Sequence, residues 1–143
     1  MRFWDSSAIV PLLVSELSTD ELTRAFETDP DMLVWWAGSV ECVSAISRRE
    51  REGVLADAAA TAALDRLSAL ELGWTEIQPV ERVRAVAIRM LRVHSLRAAD
   101  ALQLGAAVIA AEGHPASLPF VTLDEQLSCA ARREGFRVVS ADA

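Results

Sequence analysis

The chain has 143 residues, 52% of them hydrophobic and 24% charged, which suits one compact domain over residues 1–143 and excludes disorder as the main state. Fourteen basic residues face 21 acidic ones, a formal net charge of −7 that argues against a nucleic-acid binder held by bulk charge. Every basic residue other than His is Arg, so P-loop, Schiff-base and kinase-type lysine chemistry is excluded, and there is no Tyr. His94 and His114 have no G-x-S-x-G partner for a Ser/His hydrolase and are expected in surface or loop positions without a catalytic role. Cys42 and Cys129 form no C-x-x-C pair, which excludes a zinc ribbon or disulfide scaffold and leaves both as expected reduced core residues. Asp5 breaks the apolar run a signal peptide needs, and no window reaches about 18 uncharged apolar residues. A cytoplasmic protein with no membrane contact is expected.

In chain order, short apolar runs at 2–4, 32–36, 74–77, 118–123 and 136–139 read as buried strands. Helical spacing of three and four fills 8–14, 19–27, 39–51, 55–70, 80–93, 96–111 and 124–133. The alternation predicts an α/β fold whose central sheet is mostly parallel and covered by helices on both faces. Loops at the carboxyl ends of such strands gather into one crevice, where open α/β folds place ligands.

Asp5 follows the first strand and Asp124 the fourth, so the two carboxylates are expected to meet. Glu41 and Asp100 fall in the first turns of helices and interrupt runs that otherwise look buried. Each has an ordinary reading, because a carboxylate at a helix N-terminus gains about 0.3 to 1 kcal/mol from the macrodipole. Asp5 and Asp124 read equally well as N-caps, Ser95 could cap the helix that carries Asp100, and Thr122-Leu123-Asp124-Glu125 reads as a capping box with Glu125 reaching back. If the four acids converge, repulsion sets the terms: two carboxylates about 4 Å apart at an effective dielectric of about 20 oppose each other by about 4 kcal/mol. That repulsion should raise at least one carboxyl pKa. An oxygen-only cluster suits a hard divalent cation, Mg²⁺ or Mn²⁺, and phosphodiester hydrolysis by metal-activated water is the reaction class that follows.

Four segments carry a family resemblance across essentially the whole chain: Asp5-Ser6-Ser7-Ala8-Ile9-Val10; Val40-Glu41-Cys42-Val43-Ser44-Ala45; Asp100-Ala101-Leu102-Gln103-Leu104-Gly105-Ala106-Ala107; and Thr122-Leu123-Asp124-Glu125-Gln126-Leu127 with the Ala130 to Phe136 stretch after it. In this order they resemble the PIN-domain ribonucleases, specifically the VapC-type toxins of bacterial type II toxin–antitoxin pairs. The resemblance implies a three-layer α/β/α sandwich, dependence on Mg²⁺ or Mn²⁺, endonucleolytic cleavage of structured RNA, a homodimer and inhibition by a cognate antitoxin protein. It implies Asp5, Glu41, Asp100 and Asp124 as the catalytic quartet, Asp5, Asp100 and Asp124 as metal ligands, and Ser6 and Thr122 as hydroxyls that orient ligands or water.

With so acidic a chain, RNA has to be held by a local arginine patch. Arg97, one turn before Asp100, is the expected contact near the scissile phosphate. Arg48, Arg49 and Arg51 read either as phosphate grips or as a solvated face paired with Glu50 and Glu52. Trp35 and Trp36 read as core and interface rather than stacking platforms. Two other classes stay open at this point. One is a catalytically silent PIN-like module that only binds a protein, against which stand four intact acids. The other is a small-molecule phosphohydrolase with an aspartyl nucleophile, which would carry D-x-D after the first strand where this chain has Ser7.

Overall fold

A computed structural model describes residues 1–139. Its strands are β1 (Arg2–Trp4), β2 (Met32–Trp35), β3 (Thr75–Ile77), β4 (Phe120–Val121) and β5 (Val138–Val139). Its helices are α1 (Ser6–Leu13), α2 (Thr19–Thr28), α3 (Gly38–Arg51), α4 (Asp57–Gly73), α5 (Glu81–Val93), α6 (Ala98–Ala111) and α7 (Glu125–Arg133). The strands lie in the order β3-β2-β1-β4-β5 and every neighbouring pair is parallel.

The inner strands β1, β2 and β4 are covered on both faces and apolar at nearly every position, successive residues alternating between two cores, whereas the edge strand β3, expected to be buried, carries an exposed Thr75 and a half-buried Glu76. Phe3, Leu33, Trp35 and Phe120 point into one core with Met90, Leu104 and Leu127 from α5, α6 and α7. Trp4, Met32, Val34 and Val121 point into the other with Ile9, Leu22, Ile46 and Leu67 from α1 to α4. The result is the expected three-layer α/β/α sandwich. Among the described residues no helix is long and apolar enough to cross a membrane.

Two glycines set how closely the site-bearing helices approach. A Cβ at Gly38, where α3 begins, would lie 2.6 Å from Val34 Cγ1, so only glycine lets α3 start against β2. A Cβ at Gly105 would lie 3.1 Å from the Val83 carbonyl oxygen, so glycine seats α6 tightly on α5.

Several local expectations shift. Helix α1 starts at Ser6 rather than residue 8 because Asp5 caps it. Strand β4 is shorter than 118–123, since a 3₁₀ turn over Pro115–Ser117 ends at Leu118 and Thr122 already begins the turn into α7. Cys42 is buried, but Cys129 is exposed on α7 rather than in the core. Trp35 is core and Trp36 is half exposed. His114 is exposed, whereas the His94 side chain is 4% exposed, because its Nε2 lies 2.7 Å from Glu134 Oε2 and the pair ties the end of α5 to the end of α7.

Candidate active site

Strands β1 and β4 are neighbours, yet the chain leaves β1 toward β2 and leaves β4 toward β5. The strand order therefore reverses between them, and the loops after the two strands part to leave a crevice at their carboxyl ends. The Asp5 N–H still donates to the Val121 carbonyl at 3.1 Å, which sets Asp5 beside the start of the loop after β4.

Asp5 is 3% exposed and caps α1. Its Oδ1 accepts the Ser7 backbone N–H at 2.6 Å and its Oδ2 accepts the Ser7 hydroxyl at 2.9 Å. The same Ser7 Oγ accepts the Leu123 N–H at 2.9 Å and lies 3.3 Å from Thr122 Oγ1, so Ser7 clasps the loop after β1 to the loop after β4. The sequence points to Ser6 and carries no comparable signal for Ser7. Burial pushes the Asp5 carboxyl up to about 6, opposed by the Thr122 and Ser7 hydrogen bonds, with a smaller upward push from Asp124.

Asp124 is half-buried and caps α7, accepting the Leu127 N–H at 2.7 Å. The cap register is thus two residues later than the capping box read from the sequence. Thr122 instead accepts the Asp124 N–H at 3.0 Å, and Glu125 is an exposed first-turn residue. Asp100 sits three residues after Arg97, the N-cap of α6, and accepts its backbone N–H; Ser95 is not the cap. Burial raises the Asp100 carboxyl and Asp124 adds to the rise, while Arg97 lowers it. Glu41, in the first turn of α3, accepts Gln103 Nε2 at 2.9 Å and the Ser6 hydroxyl at 3.4 Å. Burial pushes it to about 7 against the Gln103 bond, with added repulsion from Asp5 and Asp100. The expected rise is therefore present, but desolvation is its first cause and mutual repulsion a smaller one. Burial also drives the neighbouring Cys42 thiol to about 12, which keeps it inert.

All four acids line one cleft of about 880 Å³, with Ser6, Arg48, Arg49 and Arg97 on its walls. Thr122 stays buried beneath it. Arg49 is committed to Glu16 at 2.7 Å, so the pairing of this arginine group with Glu50 and Glu52 is not what forms. Arg48 and Arg97 are exposed and make no salt bridge among the described residues. The four acids likewise make none. As the side chains stand, no three His, Cys, Asp or Glu residues among those described are gathered closely enough to hold a metal ion. The chemistry of the donors nonetheless fits a hard divalent cation: they are all carboxylate oxygens, three have raised pKa values, and no lysine exists to neutralise them.

No protein-family model matches this sequence, and no curated protein matches it at a significant level. Solved structures do match in fold. VapC20 of Mycobacterium tuberculosis, described as a sarcin-ricin loop cleaving toxin, aligns with a TM-score of 0.68 at 18% identity over 95% of this chain and 96% of its own. FitAcB of Neisseria gonorrhoeae aligns at 0.67 and 16% identity over 99% of this chain and 98% of its own. PAE2754 of Pyrobaculum aerophilum aligns at 0.66 and 19% identity over 99% of this chain and 83% of its own. The chain has the fold of VapC-type PIN proteins, as its motifs imply.

Proposed function

We propose that this chain is a Mg²⁺- or Mn²⁺-dependent endoribonuclease toxin that acts in the cytoplasm as a homodimer, cleaves cellular RNA and is inhibited by a cognate antitoxin protein. One observation carries the reading: Asp5, Glu41, Asp100 and Asp124, from four separate segments, line a single cleft at the switch point of the sheet together with Arg48 and Arg97. The description of VapC20 as a toxin that cleaves the sarcin-ricin loop supports RNA as the substrate. A structure of FitAB bound to a DNA fragment is a further match, at a TM-score of 0.67 and 14% identity. A chain of charge −7 attracts a cationic tail, and an arginine from a partner reaching Asp5 or Asp124 would compete with metal there.

Asp5, Asp100 and Asp124 would hold the cation, which when bound neutralises charge at the phosphate and makes water more acidic. The protein's own groups do the rest. Glu41, raised to about 7, can take a proton from a water in the cleft near neutral pH. Arg97, at the start of α6, meets the phosphate beside Asp100. Arg48 lies seven residues after Glu41, about 10 Å along α3, where it meets a phosphate farther along the strand. Ser7 and Thr122 hold the two loops in register.

The test is incubation of purified protein with total cellular RNA in Mg²⁺, in Mn²⁺ and in EDTA. Defined fragments in the metals, none in EDTA, and none with Asp5→Asn are expected. Intact RNA with every metal refutes the reading, and complex formation with a partner in that case would favour a silent binding module.

A further inference from the structure

Gln103 lies in the Asp100–Ala107 segment that carries the resemblance but has no role there, and its surroundings are unusual for an amide. It lies on α6 between Leu102 and Leu104, is 1% exposed, and occupies a position at which an apolar side chain would avoid the cost of burying polar atoms. Its Nε2 donates to Glu41 Oε2 at 2.9 Å, and its Oε1 has no hydrogen-bond partner among the described residues. Helix α6 belongs to one outer layer of the sandwich and α3 to the other, so this bond joins the two layers beyond the carboxyl end of β2. Gln103 also follows Asp100 by three residues, which places both on one face of α6. One helix face thus supplies a cleft carboxylate and, one turn deeper, the donor that holds a second carboxylate from the opposite layer.

We propose that Gln103 is a positioning residue that aims the Glu41 carboxylate into the cleft and keeps its distance from Asp100 constant, at the cost of an unpaired buried carbonyl of its own. This rests on the nuclease reading of the cleft. Gln103 itself does not line the cleft, so it acts through Glu41 and touches no substrate. A hydrogen bond to a charged acceptor restrains that acceptor more than a neutral contact would. Ser6, at 3.4 Å from the other oxygen, is too long to hold it alone.

The experiment compares the parent, Gln103→Met, Glu41→Gln and the double variant in single- and multiple-turnover cleavage of RNA in Mg²⁺, with carboxyl-carbon NMR titration of Glu41 in metal-free protein. Met keeps the volume and removes both polar atoms. Gln103→Met should lower kcat by about ten- to a hundredfold, the size of a lost hydrogen bond to a charged group, with KM within about twofold. No further loss should follow when Gln103→Met is added to Glu41→Gln, because both act through one contact. The Glu41 carboxyl should titrate at higher pH in Gln103→Met than in the parent. An unchanged Glu41 titration, or losses that multiply in the double variant, overturns the assignment. If the parent cleaves no RNA, the nuclease reading fails by itself and the Glu41 titration still decides whether Gln103 holds that carboxylate. If Gln103→Met does not fold, the Gln103 side-chain amide signals of the parent decide instead: they must shift with the Glu41 titration, and their indifference to it refutes the contact.

Discussion

Glu134 at the end of α7 is held 2.7 Å from a His94 side chain only 4% exposed, whereas Asp5, Glu41, Asp100 and Asp124 at the carboxyl ends of the strands make no salt bridge among the described residues. Both regions remove carboxylates from water. At the α5–α7 corner the chain supplies the partner for its acid, so the contact serves the fold. In the cleft it supplies hydroxyls, backbone N–H groups and one amide, which soften burial without cancelling charge, and the carboxyls answer by holding their protons to unusually high pH. On the nuclease reading proposed above, this uncompensated acid cluster is where a cation from outside would bind. The corner shows that the same chain pairs a carboxylate where structure alone is at stake.

Corner and cleft should differ most in activity. Asp100→Asn and Asp5→Asn each keep the backbone N–H bond at the helix terminus, since an amide oxygen still accepts, although Asp5→Asn gives up the acceptor for the Ser7 hydroxyl; both remove cleft charge. Each should lower RNA cleavage by about a hundredfold or more, the rate equivalent of the several kcal/mol a bound cation contributes, with unchanged circular dichroism. Cleavage at the parental rate by either variant would make these acids caps and nothing else.

Next in size is stability at the paired corner. His94→Leu leaves Glu134 partly buried without its partner and should cost about 2 kcal/mol in urea unfolding, with cleavage per folded molecule within about twofold of the parent. A large activity loss at full stability would show that the corner is tied to the cleft after all.

The cleft has its own stability signature, of opposite sign to that of a paired acid. Folded Asp5 and Glu41 hold protons up to about pH 6 and 7, and the Asp100 pKa is also raised, while the unfolded carboxyls release theirs at about 4. Between those values the folded state binds more protons, so the contribution of these groups to stability is full below about pH 4, falls as pH rises, and is lost above their folded pKa values. Melts in EDTA should therefore drop by several degrees from pH 5 to 8. Asp100→Asn should flatten the drop and melt higher than the parent near pH 8; a steeper drop in the variant would reverse the argument. The smallest effect is at Glu125, exposed in the first turn of α7, where Glu125→Gln should cost about 0.3 kcal/mol and leave cleavage unchanged.

The strands and helices were legible because local apolar spacing reports burial directly: Phe3 and Trp4, or Leu33 and Val34, are apolar on consecutive positions only where both faces of a sheet are covered. Asp5 and Asp124 were legible as a pair because a parallel sheet brings strand ends together. What stayed hidden depends on partners remote in sequence. Gln103 reaches Glu41 across 62 residues, Ser7 reaches Leu123 across 116, and His94 reaches Glu134 across 40. The one available signal for Gln103 was an amide within an apolar helix three residues after an acid. The register of the Asp124 cap was hidden too, since Thr122 and Asp124 are both good caps and only the length of β4 decides between them.

The central proposal, that Asp5, Asp100 and Asp124 hold a divalent cation in the cleft, is tested most directly by calorimetric titration of Mn²⁺ into metal-free parent and metal-free Asp100→Asn at pH 7.5. Saturable binding by the parent is expected, with an affinity at least about tenfold weaker in Asp100→Asn. Equal isotherms for the two proteins, or no binding by the parent, would contradict it.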